Sequence, residues 1–372
     1  MDNIFTIKYP SVHPGTDSTS IVFHKNEIDL DAVLHPGKAH EDGYRRFFIT
    51  DATVATLPAT QPFIRSFDDG KCGEDCLLIL GSGEPYKTIE SVLTIIKTAL
   101  DAGFTRKDTF VGIGGGVICD ITGFAASLFK RGLAVEFVPT TLLAMVDASI
   151  GGKTGCDFDN YKNMIGSFYP ARTIHIFPQF VQSLPDNQYR SGLAEAFKTA
   201  LLFDKDMYAL FRDSSEKILS RDSDTVSGII SSCTKAKASV VEQDFLEKDI
   251  RMYLNYGHTF GHALETLVGL GNMTHGDAVA WGIGRAVTLS NALGLCTLSY
   301  RDEVLSVLGL YGWERRAIPE IVKGGGFGER LLAVMHKDKK NSGSRIKVIL
   351  QKELAAEFIQ ETDDSAILAV LK

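Results

Sequence analysis

The chain has 372 residues, 44% hydrophobic and 23% charged, which is ordinary for a soluble globular protein and too long for one comfortable core. Its net charge of -7 argues against a general binder of nucleic-acid backbone, though not against a local basic pocket for one small anion. Of six cysteines only Cys72 and Cys76 are close together. With no second pair to complete a zinc site, free thiols in a reducing cytosol are the favoured reading. The start, Met1-Asp2-Asn3-Ile4, lacks the basic and apolar regions of a signal peptide, and no apolar run approaches a membrane span. A cytoplasmic protein with no membrane and no nucleic-acid partner is expected.

In chain order, the first half alternates short apolar runs with helical patterns. Phe47–Ile49, Leu77–Leu80, Phe110–Ile113 and Val135–Val138 read as buried strands, with Thr173–Phe177 as a last one. Between the second and third, Lys87–Ala102 carries Ile89, Val92, Leu93, Ile96 and Leu100 on one helical face, and Gly103 ends it. This order implies a parallel sheet with crossovers. After Leu184-Pro185 helical periods dominate, over 189–203, 206–219, 225–241, 252–267 and 277–293, and only 345–350 and 356–360 look extended. The expectation is an α/β, Rossmann-like N-terminal domain over residues 1–184 and a mainly α-helical domain over 185–372. The first forty residues are the least readable.

Gly114-Gly115-Gly116-Val117-Ile118-Cys119-Asp120 follows a strand and opens a helix. Glycines let backbone N–H groups approach a phosphate, and a helix N-terminus favours negative charge, so this reads as a pyrophosphate cradle. It is not the G-x-G-x-x-G fingerprint, because Val117 stands at the third glycine. Gly151-Gly152-Lys153-Thr154 is not a Walker A loop either, since Asp147 occupies the first glycine position. Lys153, Lys162 and Asn163 among glycines nevertheless suit an anion with several hydroxyls. Asn255-Tyr256-Gly257-His258-Thr259-Phe260-Gly261-His262 puts two histidines at i and i+4 on one helical face, and His275 follows. Three histidines within eighteen residues favour a metal. Spacing leaves open which of His258 and His262 is a ligand and which a base. Glu195 and Lys198, one turn apart, read by themselves as a surface ion pair. Lys237, Glu247 and Arg251, and Asp338-Lys339-Lys340, carry no more weight alone.

Together these stretches resemble the dehydroquinate synthase family within the sugar phosphate cyclases. The matching segments are 114–168, 192–198, 237–276 and 338–340, with Gly83-Glu84-Pro85-Tyr86-Lys87. Gly-Gly-Lys-Thr-Gly at 151–155, Lys-Asn-Met-Ile-Gly at 162–166 and the 255–262 motif are specific to few families. The resemblance implies that Glu195, His258 and His275 hold one divalent metal, zinc or cobalt. It makes His262 and Glu247 acid–base residues, with Lys153 and Lys198 also in the catalytic set. It assigns NAD contacts to Asp51, Glu84, Lys87, Gly115, Gly116, Val117, Asp120, Thr140, Thr141 and Lys162. Substrate contacts fall to Arg131, Asp147, Lys153, Asn163, Lys198, Lys237, Arg251, Asn255 and a lysine of the 339–340 pair, with Lys339 preferred. Cys119, Tyr161 and Asp277 depart from the family's usual residues, and none is a proposed catalytic group.

The implied reaction converts 3-deoxy-D-arabino-heptulosonate 7-phosphate to 3-dehydroquinate and phosphate, in the shikimate pathway. It proceeds by transient oxidation by NAD, phosphate elimination, reduction and intramolecular aldol closure. Rivals are a metal-dependent polyol dehydrogenase, which needs no cluster of Lys153, Lys198, Lys237 and Arg251, a sister cyclase, and a non-catalytic NAD sensor. The resemblance also implies a homodimer. A helix expected over Val117–Lys130 would be about 20 Å long and would carry Arg131 away from the cradle, so Arg131 is expected to serve a neighbouring subunit's site.

Overall fold

A computed structural model of the chain describes residues 3–9, 17–25, 27–34, 44–159, 161–269, 271–337 and 345–372. The chain forms two compact units, one of residues 1–185 with 237–246, the other of 186–236 with 247–372.

The first unit holds strands β1 (Asn3–Lys8), β2 (Ser18–Phe23), β3 (Arg46–Asp51), β4 (Cys76–Leu80), β5 (Thr109–Gly114), β6 (Ala134–Pro139), β7 (Lys153–Phe158), β8 (Tyr161–Phe168) and β9 (Thr173–Ile176). Its helices are α1 (Leu30–Leu34), α2 (Ala52–Ala55), α3 (Gln61–Asp68), α4 (Ile89–Asp101) and α5 (Gly116–Leu128). Seven strands form one sheet in the order β1-β2-β9-β6-β5-β3-β4. All its pairs are parallel except β1 with β2. This is the expected parallel α/β architecture. The central strands are apolar throughout because both faces are covered, with Phe47, Phe48, Phe110 and Val111 fully buried.

Three local expectations need correction. β4 is only half-buried, because it is an edge strand. α4 buries Val92, Ile95 and Ala99, while Leu93 and Leu100 are exposed. α5 stops at Leu128 instead of running to Lys130; Lys130 and Arg131 both take left-handed backbone angles, at φ 47° and 69°. β7 and β8, which carry Lys153, Lys162 and Asn163 among glycines, pair antiparallel.

The second unit holds α6 (Asp186–Phe203), α7 (Lys205–Asp213), α8 (Ser215–Leu219), α9 (Ser223–Gln243), α10 (His258–Val268), α11 (His275–Ala292), α12 (Leu298–Leu310), α13 (Phe327–Lys337) and α14 (Asp364–Ala369). The end of α9, from Lys237, groups with the first unit. β10 (Ile346–Gln351) and β11 (Glu357–Thr362) form a hairpin, as expected of an otherwise helical unit. The helical period expected over 252–267 is broken at Gly257, whose φ of 80° is left-handed. A Cβ there would lie 2.7 Å from Ile283 Cγ1, so glycine alone lets α10 begin at His258 against α11.

Candidate active site

In the second unit three helices converge on one carboxylate. Glu195 sits mid-way along α6, His258 and His262 in the first turns of α10, and His275 at the start of α11. Glu195 Oε1 lies 3.5 Å from His258 Nε2 and 3.3 Å from His275 Nε2. One nitrogen from each of His258, His262 and His275 falls within 4.8 Å of the others. The opposite nitrogens are engaged too: His258 Nδ1 lies 3.2 Å from the Tyr256 carbonyl and His275 Nδ1 3.1 Å from Glu265 Oε2.

Packing enforces this convergence. A Cβ on Gly276 would collide with the Ser191 carbonyl, and Gly276 N–H donates to Ser191 Oγ at 3.0 Å. α11 therefore starts directly against α6. Arg190 clamps the same contact from the side, with both carboxylate oxygens of Asp277 at 3.0 and 3.2 Å.

Glu195 and Lys198 form an ion pair, but not the surface pair their spacing implied, since each is 1% exposed. Burial alone would push the Glu195 carboxyl up; the Lys198 ammonium and the hydrogen bond to His275 outweigh it and hold the group well below the usual carboxylate range. Burial and the Lys198 charge push His258 far below its ordinary value, so it is neutral. His275 is also buried, yet its hydrogen bonds to Glu195 and Glu265 raise it to about 9. Nearby in this unit, Asn255 Nδ2 donates to Glu247 Oε1 at 2.8 Å, and Arg251, on the same turn, is fully buried.

In the first unit the glycine loop lies where β5 becomes α5. Gly115 caps α5 with no side-chain hydrogen bond, and Gly115, Gly116 and Val117 are half-exposed. A Cβ on Gly115 would crowd Thr141 Cγ2 at 3.0 Å, so the cradle is bare backbone. Thr140 N–H donates to the Gly114 carbonyl at 2.9 Å, setting Thr140 and Thr141 beside the loop. Asp51 ends β3 and accepts from the N–H groups of Thr53 and Val54. Lys87 pairs with Asp120 at 2.7 Å and donates to Asn163 Oδ1 at 2.6 Å. Burial works against its charge, but Asp120 and Glu84 hold Lys87 above the usual lysine value. Lys162 pairs with Glu84 at 3.2 Å. Lys237, at the end of α9, meets Asp147 Oδ1 at 2.6 Å.

Family models give this geometry a name. The one described as 3-dehydroquinate synthase N-terminal matches residues 77–191, and the one described as 3-dehydroquinate synthase C-terminal matches 192–341. A 3-dehydroquinate synthase of Acidithiobacillus ferrooxidans is 37% identical over 327 residues, 87% of each chain. The chain belongs to the 3-dehydroquinate synthase family. Another family member, from Wolinella succinogenes, is 39% identical over 292 residues, 78% of this chain and 81% of its own. Among solved structures, 2-deoxy-scyllo-inosose synthase complexed with carbaglucose-6-phosphate, NAD+ and Co2+ shares the fold at a TM-score of 0.83 and 22% identity, covering 99% of both chains. So does 2-epi-5-epi-valiolone synthase from Streptomyces hygroscopicus with NAD+ and Zn2+, at 0.82 and 24%, covering 94% of this chain and 95% of its own.

Within this dehydroquinate synthase chain, the expected metal-binding residues come together in one unit, and so do the cradle, Lys87, Asp120, Glu84, Lys162 and Asn163 in the other. Arg131 is exposed, just past the C-terminal end of α5 and so at the far end of that helix from the cradle. Lys153, the first residue of β7, is also exposed. Lys339, with Asp338 and Lys340, lies outside the described residues. Sequence reasoning passed over Glu265 and Arg190. Glu265 had a usable signal, because it is seven residues after His258 and three after His262, on their face of α10.

Proposed function

We propose that this chain is a 3-dehydroquinate synthase, closing 3-deoxy-D-arabino-heptulosonate 7-phosphate to 3-dehydroquinate with release of phosphate. The observation that carries the reading is the meeting of Glu195, His258 and His275 in a family whose members at 34–40% identity bear that name. The residues fit a metal. Glu195 is buried, with Oε1 facing His258 Nε2 and His275 Nε2 and Oε2 paired with Lys198, and one carboxylate with two imidazoles is a donor set that zinc and cobalt take. They also fit NAD, through the bare cradle at the N-terminus of α5. When bound, NAD takes up and returns a hydride and the metal polarises an oxygen of the substrate.

The chain's own groups do the rest. Glu195, His258 and His275 hold the metal, and His262 moves protons near neutral pH, assisted by Glu247. Lys153, Lys198, Lys237 and Arg251 hold the phosphate and carboxylate of the substrate, with Asp147, Asn163, Asn255 and Lys339 on its hydroxyls and acid group. Asp51, Glu84, Lys87, Gly115, Gly116, Val117, Asp120, Thr140, Thr141 and Lys162 contact NAD. The enzyme works as a cytoplasmic homodimer, with Arg131 completing the neighbouring subunit's phosphate site.

The test is incubation with NAD, cobalt and the phosphorylated seven-carbon acid, following phosphate and product mass. A heptulose phosphate without the carboxylate serves as the comparison. Preference for the acid supports the reading. Preference for the sugar phosphate that lacks the carboxylate moves the chain to a sister cyclase.

A further inference from the structure

His275 is held between two buried carboxylates on different helices. Its Nε2 faces Glu195 on α6 and its Nδ1 faces Glu265 on α10 at 3.1 Å. Glu265 is only 4% exposed. His258 has a matching arrangement with a different partner, since behind it stands the neutral Tyr256 carbonyl. That carbonyl can only accept, so His258 carries its proton on Nδ1 and presents the Nε2 lone pair towards Glu195. The Glu265 carboxylate, 3.1 Å from Nδ1, accepts its proton in a hydrogen bond, which imposes the same tautomer on His275 and makes its Nε2 the more basic donor.

We infer that Glu265 is a positioning residue for the metal: its carboxylate fixes the tautomer and ring orientation of His275 and sets how tightly the site holds its ion. Glu265 shares α10 with His258 and His262, so one helix supplies a histidine on the metal and the clamp on the histidine of α11. This builds on the reading of His275 as a metal ligand. A bland alternative is that the Glu265–His275 contact only pins α10 to α11.

Cobalt affinity of the metal-stripped full chain, measured by competition with a chromophoric chelator, separates the two. Glu265→Gln keeps the shape and removes the charge. It is expected to weaken cobalt binding roughly 10- to 100-fold and to alter the visible spectrum of the bound cobalt, while turnover recovers at saturating metal. A purely structural contact would lower the thermal midpoint of the metal-free chain and leave cobalt affinity unchanged, which would overturn the inference. In a His275→Ala background the same substitution should cost nothing further. An equal loss there would mean that Glu265 touches the metal itself, and would overturn the inference too. If His275→Ala alone leaves cobalt binding intact, the ligand reading falls and this inference with it. If it abolishes binding while Glu265→Gln does nothing, only this inference falls. The native chain supplies a check that needs no variant. Long-range proton–nitrogen spectra of the cobalt-free, zinc-loaded protein with labelled histidine should show His275 protonated at Nδ1, and protonation at Nε2 would overturn the inference.

Discussion

Arg190 on α6 and Asp277 on α11 form a two-pronged ion pair, Nε to Oδ1 at 3.0 Å and Nη2 to Oδ2 at 3.2 Å. The same carboxylate accepts from Thr274 Oγ1 at 2.8 Å, and Thr274 in turn caps α11 at the Asp277 N–H. Asp277 is thus a joint between the helix bearing Glu195 and the helix bearing His275.

Arg190→Ala is expected to cost about 1 kcal/mol, since the pair is partly exposed and two-pronged. Asp277→Ala should cost more, because Thr274 also loses a partner. Urea midpoints check this; equal costs would show that the cap does not depend on the carboxylate.

A second prediction concerns acid stability in the first unit. Glu136, buried on β6, meets Arg172 Nη2 at 3.0 Å and His175 Nε2 at 3.8 Å. Burial would raise its carboxyl, but the neighbouring His175 and the Arg46 charge outweigh this and bring it down to about 2 from 4.5. A folded value below the unfolded one gives stability that is complete above 4.5 and lost as pH falls from 4.5 towards 2. That contribution is on the order of 3 kcal/mol. Glu136→Gln should lower the urea midpoint at pH 7, and its deficit against the native chain should shrink below pH 4.5. A deficit that is constant with pH would contradict the assignment.

The metal residues make a third prediction. His258→Ala should lose cobalt and activity together. His262→Ala should keep the metal and slow turnover by roughly 100-fold or more, the usual loss for an acid–base group. The three rings are near neighbours, with centroids 5.0 to 5.6 Å apart, so the distinction is a real one to test. Metal loss on removing His262 would make it a ligand.

Much of this site was legible because helical periodicity is regular. His258 and His262, at i and i+4, had to share a face, and glycines between a strand and a helix had to leave bare N–H groups. Depth was not legible. Glu195 and Lys198 have the spacing of a surface pair, and only the nearly all-round apolar character of Leu193, Ala194, Ala196, Phe197, Ala200 and Leu201 signals that α6 is buried. In α4 two stripes compete: Leu93, Ile96 and Leu100 have the same spacing as Val92, Ile95 and Ala99, and the pattern alone does not say which faces the core. The β7–β8 hairpin was hidden because its glycines, Gly155 and Gly166, face each other at a close backbone approach and interrupt any alternation.

Arg131 gives a fourth prediction. α5 has 13 residues between Gly116 and Leu128, about 20 Å, and the chain then turns through two left-handed residues that hold Arg131 at the surface. Mixing inactive Arg131→Ala and His275→Ala subunits should restore activity, because one site of the mixed dimer has both residues intact. Subunit exchange without recovery would show that Arg131 acts within its own chain or not at all.

The most direct test of the account is absorbance at the NADH band during turnover of 3-deoxy-D-arabino-heptulosonate 7-phosphate by the NAD- and cobalt-loaded chain. The account predicts phosphate release over many turnovers with no accumulation of NADH, since the hydride taken up is returned to the same substrate. NADH formed in step with substrate consumed would contradict it and make the chain a metal-dependent dehydrogenase.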